Sequence, residues 1–440
     1  MTLRVLVAGL GNMGRSHALA YHRHPGFTIA GLVNRSAPRL AEELAGYGVQ
    51  PDYETALRTL RPDLVSINTY SDTHAGYAIR ALEQGAHVFV EKPLATTVAD
   101  AERVVAAAKA NDRKLVVGYI LRHHPSWIGF IAEARKLGGP YVFRMNLNQQ
   151  SSGPSWLGHK ALMQTTSPIV DCGVHYVDVM CQITDARAVE VRGMGLRLTP
   201  EIASDMYNYG HFQVLFDDGS LGWYEAGWGP MISETAFFVK DVMSPNGAVS
   251  IVMEPGAKSD SLDTHTMTDT IKVHRATLAA DGSFAQPDRL LSMAGEPNHD
   301  ALCAREQDYV HRAITENLDL TRHMQDAVES LRICIAADES VHTGKPEAVV
   351  VEFDADAAVY VREREWHPSQ EIEVRGDGGL VLRMNVCNDY ALRAWVLGFG
   401  PSARVIEPQS LAQSVIAAVV ETRRRYARGA RMEMLAIKAS

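Results

Sequence analysis

The chain has 440 residues, enough for about three domains of roughly 150 residues each, and is 46 % hydrophobic and 22 % charged. With 43 Lys and Arg against 52 Asp and Glu its formal net charge is −9, which argues against disorder and against a protein built to grip nucleic-acid phosphate. Its five cysteines (Cys172, Cys181, Cys303, Cys334, Cys387) are odd in number and never spaced C-x-x-C, which argues against a disulfide scaffold or a cysteine-based zinc site and for a reducing compartment. No run of about 18 apolar residues marks a membrane span, and MTLRVLVAGLGNMG lacks the segments of a signal peptide. The expectation is a soluble, cytoplasmic protein without nucleic-acid or membrane partners.

Residues 1–120 alternate short apolar runs (Val5–Ala8, Thr28–Val33, Leu64–Ile67, His87–Val90, Leu115–Gly118) with amphipathic stretches, clearest at Thr73–Glu83 and Thr97–Ala110. That pattern predicts a doubly wound α/β domain, a parallel sheet covered on both faces. Residues 140–150, 187–198, 211–224, 235–254 and 268–278 read as longer strands, several of them alternating. They suit an antiparallel sheet with one face solvated or used for association. A helix is expected over about Ile169–Gln182, and two more within 299–343, ending at Gly344-Lys345-Pro346. Beyond Val351, Asp354–Ala357 reads as a short linker. Val359–Arg364 and Leu380–Val386 then read as strands, Tyr390–Leu397 as a helix, Arg404–Ile406 as a strand and Ser410–Ala427 as a helix. The expected domains are therefore 1–122, 123–353 and 354–440.

Gly9-Leu10-Gly11-Asn12-Met13-Gly14 ends the first strand and opens a helix, the context in which G-x-G-x-x-G reads as a dinucleotide turn. Gly9 permits the tight turn, Gly11 the approach of a pyrophosphate and Gly14 close helix–strand packing, while the helix N-terminus offers N–H groups to the phosphates. The position about 20 residues on, where an acid would grip the ribose of NAD, carries Asn34, followed by Arg35. The cofactor is expected to be NAD or NADP, with a slight lean to NADP.

Lys92, in Glu91-Lys92-Pro93, stands just past the end of a buried strand, where ligands of open α/β sheets bind. A lysine partly desolvated beside a nicotinamide could have its pKa lowered enough to take a hydroxyl proton; a snorkelling surface lysine is the bland alternative. In Asp171-Cys172-Gly173-Val174-His175-Tyr176-Val177-Asp178, helical geometry puts Asp171, His175 and Asp178 on one face, the makings of a proton relay. Asp171 could equally serve only the helix dipole, and His175 could be a core histidine. The spacing permits a metal, but a lysine base makes one unnecessary, and none is expected.

Together these segments resemble the Gfo/Idh/MocA family of NAD(P)-dependent oxidoreductases over residues 1 to about 352. The resemblance rests on Gly9-x-Gly11-x-x-Gly14 with Arg15 and His17, on Thr69-Tyr70-Ser71-Asp72-Thr73-His74, on Glu91-Lys92-Pro93 and on Asp171-x-Gly173-x-His175-x-x-Asp178. It implies a Rossmann domain followed by an open α+β sheet domain that mediates dimers or tetramers. It further implies catalysis by Lys92, Asp171 and His175, and dinucleotide contacts from the glycine turn, Thr69, Asp72, His74, Glu91 and Lys92. Tyr70-Ser71-Asp72 departs from the usual Thr-Pro-Asn, which puts that loop's cofactor contacts in question. Arg122 corresponds to a stretch that often carries a substrate-side arginine; His123 and His124 read as structural. Trp156 and His159 are candidate substrate-lining residues, whereas Trp223, Tyr224 and Trp228 lie on a strand and could be sheet or interface aromatics.

Residues 358–427 resemble a different module, the C-terminal extension that follows WYL domains in bacterial regulators. Trp366-His367-Pro368-Ser369-Gln370, Leu380-Val381-Leu382, Trp395–Gly400, Val405–Pro408 and Leu411 carry that likeness. It implies a small ferredoxin-like α/β fold with a sensing or assembly role. The cluster Arg423, Arg424, Arg425, Arg428 and Arg431 reads as a solvated helix face. The expected function is hydride transfer between NAD(P) and a sugar, inositol or related polyol in a homo-oligomer. The alternative is a catalytically inactive dinucleotide sensor acting through the C-terminal module.

Overall fold

The alternating N-terminal runs fold as six parallel strands: β1 (Leu3–Ala8), β2 (Phe27–Val33), β3 (Val49–Gln50), β4 (Leu64–Ile67), β5 (His87–Glu91) and β6 (Leu115–Gly118). The computed structural model describes residues 2–233, 239–253, 268–344 and 346–437. Helices α1 (Asn12–Arg23), α2 (Tyr53–Leu60), α3 (Ser71–Glu83) and α4 (Val98–Ala110) connect the strands, whose order is β3-β2-β1-β4-β5-β6. The expected doubly wound sheet is thus present. Its order reverses between β1 and β4, so the crevice past their carboxyl ends is where a ligand fits. Every residue of β4 is buried, as strands covered on both faces require. Side chains define the helix starts: Asp52 caps α2 by accepting from the Thr55 N–H, and Thr97 caps α4 by accepting from the Asp100 N–H.

After α5 (Pro125–Leu137) the second sheet begins with β7 (Val142–Gln150), followed by α6 (Gly153–Leu162) and α7 (Pro168–Thr184). Ser167 caps α7 and Pro168 opens it, and Asp185 closes it with φ 58°, in the left-handed region. Then come β8 (Ala188–Leu196), β9 (Tyr209–Phe216), β10 (Leu221–Gly229), β11 (Lys240–Ser244), β12 (Gly247–Val252), β13 (Thr270–Arg275) and β14 (Arg289–Ser292). Residues 234–238 and 254–267, parts of two expected strands or their links, lie outside the described residues.

The sheet order is β14-β13-β12-β11-β7-β10-β9-β8, with β7 and β10 parallel. The sheet is therefore mixed, and the antiparallel expectation is corrected. Alternation reports which face a strand shows, not the direction of its neighbour. Along β10, Gly222, Tyr224, Ala226 and Trp228 are buried on the side packed by α7, while Leu221 is exposed and Trp223 half-buried on the other. The helices α8 (His299–Thr315) and α9 (Thr321–Thr343) follow.

Packing divides the chain into two units, Met1–Asp338 and Glu339–Ser440. The second contains β15 (Pro346–Phe353), α10 (Ala355–Arg362), β16 (Glu371–Val374), β17 (Leu380–Cys387), α11 (Tyr390–Gly398), β18 (Ala403–Glu407) and α12 (Gln409–Ile437). Its sheet, ordered β16-β17-β15-β18, is antiparallel throughout. This is the expected ferredoxin-like arrangement, but its first strand is β15, which the sequence reading had closing the second domain at 353. Val359–Arg364 is not a strand either. It falls largely in α10, where Asp354, read as linker, accepts from the Ala357 N–H as N-cap. Buried Ala357, Ala358 and Val361 have helical spacing and pack with Val351, Phe353, Leu382 and Val396 in this unit's own core. Arg423, Arg424 and Arg425 are exposed on α12, as expected; the side chains of Arg428 and Arg431 lie outside the described residues.

Candidate functional site

The crevice between β1 and β4 is shaped by glycine. Gly9 has φ +84°, and a Cβ there would stand 2.5 Å from the Asn68 carbonyl oxygen; one at Gly14 would stand 1.9 Å from that of Gly9. A Cβ at Gly11 meets nothing within 4 Å, and no side chain caps α1, whose N-cap is Gly11. Two glycines are thus required by packing. The third leaves an open helix N-terminus beside Asn12 and Met13, and an anion such as a pyrophosphate fits that donor set.

Lys92 lies immediately beyond β5 and is no surface lysine. Its Nζ donates to the Asp171 carboxylate at 3.0 Å and to the Asp171 backbone carbonyl at 3.0 Å, so residues 79 apart in sequence meet in one ion pair. Burial pulls the Lys92 pKa down, but Asp171, with Cys172 and Glu91, outweighs it, and the net direction is upward. In the protein alone Asp171 thus stabilises the ammonium, whereas the expected lowering is that of a lysine beside a nicotinamide. His175 stands one turn along α7 and meets the Tyr119 ring edge-on, with centroids 5.9 Å apart.

The loops around Lys92 are tied together from below. Glu91 accepts from the Lys92 N–H at 3.1 Å and faces buried His17 at 2.8 Å. His74 is 1 % exposed, with its ring nitrogens 2.7 Å from the Pro93 carbonyl and 3.0 Å from that of Thr69. Burial holds this imidazole below its ordinary pKa; the neutral ring donates its one N–H to one of the two carbonyls and packs against the other. Thr69 pairs its hydroxyl with Thr73, and Asp72 is exposed in the first turn of α3. His74 and Glu91 thus position Lys92. Asn34 is engaged too: its carbonyl accepts from the Leu10 N–H and its amide donates to Ser36, leaving exposed Arg35 as the polar group at the end of β2.

The comparisons with known proteins bear on the family and the fold. Residues 3–119 match the model described as oxidoreductase family, NAD-binding Rossmann fold, and residues 131–235 match the GFO/IDH/MocA C-terminal domain, together just over half of the chain. The chain belongs to the Gfo/Idh/MocA oxidoreductase family. Residues 345–422 match a WCX domain, which begins at β15. Among curated members of the family, inositol 2-dehydrogenase of Acidothermus cellulolyticus is 30 % identical over 218 residues, covering 47 % of this chain and 61 % of the relative. UDP-N-acetylglucosamine 3-dehydrogenase of Acidithiobacillus ferrooxidans is 29 % identical over 196 residues, 44 % of this chain and 58 % of the relative. The matches thus span only somewhat over half the length of these relatives. The fold is also that of the aldose-aldose oxidoreductase of Caulobacter crescentus, with TM-score 0.63 at 20 % identity over 78 % of this chain and 99 % of that one.

Two residues expected on the substrate side of this Gfo/Idh/MocA chain are engaged elsewhere. Arg122 grips Asp178 through Nε and Nη2, at 2.8 and 2.5 Å, and reaches Asp326 at 2.8 Å. Two buried carboxylates hold it, which makes it a brace between α7 and α9. Trp156 donates to Glu201 at 3.3 Å, lies under the Lys160 ammonium and packs on Gly229. His159, one turn further, stacks on Trp228 with centroids 4.6 Å apart and bonds Ser151. Burial takes its pKa down to about 4 although the Asp171 charge pulls upward, so the ring is neutral. Trp228 donates to Gln149, and the Cys172 thiol faces Gln149 at 3.9 Å and Asp171 at 3.8 Å.

Gln149, Trp228 and His159 thus form a wall beside Asp171. The register pairs Trp228 with Gln149 at the ends of parallel β10 and β7. Gln149 carries no motif, so only strand pairing finds it; for Trp228, alternation already puts it on the face opposite Trp223. Of the two histidines beside Arg122, His124 faces Glu296 and Ser126, and His123 meets the Tyr309 ring, both as structural residues.

Proposed function

We propose that this chain is a dehydrogenase moving hydride between NAD or NADP and a hydroxyl-bearing carbon of a sugar, cyclitol or related polyol. The observation that carries the proposal is the Lys92–Asp171 pair at the carboxyl end of β5, the same end of the sheet as the glycine turn. Bound there, a nicotinamide would supply the hydride acceptor or donor. The chain's own part is to manage the hydroxyl proton. As an ammonium, Lys92 donates a proton to a carbonyl oxygen during reduction. For oxidation it must first lose that proton, which Asp171 opposes and a nearby positive charge favours. Asp171 holds the amine in place through two contacts, and His175 on the same helix face is the partner proposed to pass the proton onward.

The Gln149–Trp228–His159 wall gives a polyol both amide and aromatic surfaces. Named relatives act on inositol and on UDP-N-acetylglucosamine, which supports this substrate class. With Asn34 held by Leu10 and Ser36, exposed Arg35 leans the cofactor choice toward NADP. We assign residues 1–122 to the dinucleotide and the segment from 123 to the end of α9 to substrate and assembly. The sheet face away from α7 exposes Met194, Leu196, Leu215 and Leu221 beside a cleft of about 590 Å³ lined by Arg144, Trp223 and Glu225. An apolar sheet face of this kind supports pairing with a second copy. The test is turnover of NAD+ and NADP+ with a panel of inositols, sugars and nucleotide sugars. Reduction of either dinucleotide with a polyol supports the reading. Tight binding of a dinucleotide without turnover on any of them replaces it with the sensor reading.

A further inference from the structure

A second cluster of ligating side chains, which includes neither Lys92 nor Asp171, lies where α1 packs on α8. A ring nitrogen of His17, the thiol of Cys303 and a carboxylate oxygen of Glu306 lie within 4.8 Å of one another, all three residues buried. Cys303 and Glu306 are three apart on α8, which puts both on the face turned toward α1.

The Glu306 carboxylate sets this cluster apart. It is 1 % exposed, and neither oxygen has a hydrogen-bond partner. Other buried carboxylates of this unit are compensated: Asp178 and Asp326 by Arg122, Glu91 by His17, and Glu133 by Lys136 and Arg289. A carboxylate taken out of water without compensation costs several kcal/mol, so Glu306 requires a proton, a water or a cation.

His17 is oriented as a metal-binding imidazole is. Its Nε2 faces Glu91 at 2.8 Å, which places the proton there and leaves Nδ1 with its lone pair. The Gln307 amide now donates to Nδ1 at 2.9 Å, while the Gln307 carbonyl oxygen has no partner. An ion at Nδ1 displaces that donor. The Cys303 thiol also faces His299 at 3.5 Å, a contact that metal binding must break.

We propose that His17, Cys303 and Glu306 bind one zinc-class divalent ion as its three protein ligands, linking α1 to α8 beneath the Glu-Lys-Pro segment. Imidazole nitrogen, thiolate sulfur and carboxylate oxygen are the donor set such ions take. A thiolate and a carboxylate together cancel the charge of a divalent cation. Binding therefore releases the thiol proton of Cys303, and that of Glu306 where it carries one.

The test is cobalt(II) titration of the full-length chain after treatment with a chelator, followed by competition with zinc. The expected result is one cobalt per chain with thiolate-to-metal charge-transfer absorption, lost on adding zinc. Cys303→Ser removes the absorption and Glu306→Gln weakens binding at least tenfold. Both variants are checked by circular dichroism, and where either misfolds, X-ray absorption at the zinc edge of the loaded wild-type chain takes their place, with one sulfur ligand expected. Three results overturn the proposal: no stoichiometric binding, binding without the absorption, or a zinc shell without sulfur. Glu306 then carries a proton or meets a buried water. None of these readouts uses turnover, so the site stands or falls separately from the dehydrogenase reading.

Discussion

Asp171 sets the protonation of Lys92, and this has a consequence with a definite sign. The carboxylate raises the lysine pKa against burial, so oxidation, which needs the neutral amine, speeds up as pH rises toward that value. In Asp171→Asn only burial and the weaker neighbours remain, and the pKa falls. The variant's oxidation profile is expected to begin its rise at lower pH than the wild type's, with a reduced maximum because the amine is less well held. An unchanged profile in pH–rate measurements contradicts the assignment. At this scale the sequence was legible where a residue type is rare in its setting, such as a lysine at the end of a buried strand. It was not legible for Arg122, because the carboxylate that completes its clamp, Asp326, is 204 positions away. For Gln149 it was silent, because nothing local distinguishes a glutamine beside Trp228 from one on a solvated strand end.

Among the elements, the turn between β1 and α1 separates glycines that packing requires from one that is proposed to bind. Gly14→Ala drives a Cβ into the Gly9 backbone and is expected to cost on the order of 3 kcal/mol, read as a lower denaturation midpoint. Gly11→Ala meets open space and is expected to change stability by less than about 0.5 kcal/mol. In the proposed binding mode its methyl group stands where the pyrophosphate approaches, and dinucleotide affinity is expected to fall at least about tenfold, some 1.4 kcal/mol, by calorimetry. Equal dinucleotide affinity in Gly11→Ala and wild type would place the cofactor elsewhere. Periodicity found most strands and helices because burial on one face writes it into the chain. It failed at Val359–Arg364, where a helix of eight residues buries too few positions to separate a period of 3.6 from one of 2. It also misled on the direction of β7 and β10, expected antiparallel and in fact parallel, since pleat alternation is the same in both kinds of pair.

For the whole molecule, the boundary before β15 predicts how the chain can be divided. A chain ending at Gly344 keeps the first unit without any strand of the C-terminal sheet. One ending at Phe353, the boundary read from sequence, retains β15 stripped of both its neighbours, β17 and β18. Such a strand exposes unpaired backbone and buried-type valines, so the longer truncation is expected to aggregate and the shorter to stay dispersed in size-exclusion chromatography. The reverse ranking would return β15 to the second domain. No strand is expected from sequence between Pro346 and Phe353, and the unit to which a strand belongs is decided by its partners, which are read only in three dimensions.

The central claim is that Lys92 handles the substrate proton at a site whose dinucleotide is held by other groups. It is tested most directly by measuring dinucleotide binding and polyol turnover together for wild type and Lys92→Ala. The predicted result is dinucleotide affinity within a few-fold of wild type and a turnover loss of about 10²–10⁴, the usual contribution of a general acid–base group. Turnover retained at the wild-type level, with the variant folded and binding its dinucleotide, would contradict it.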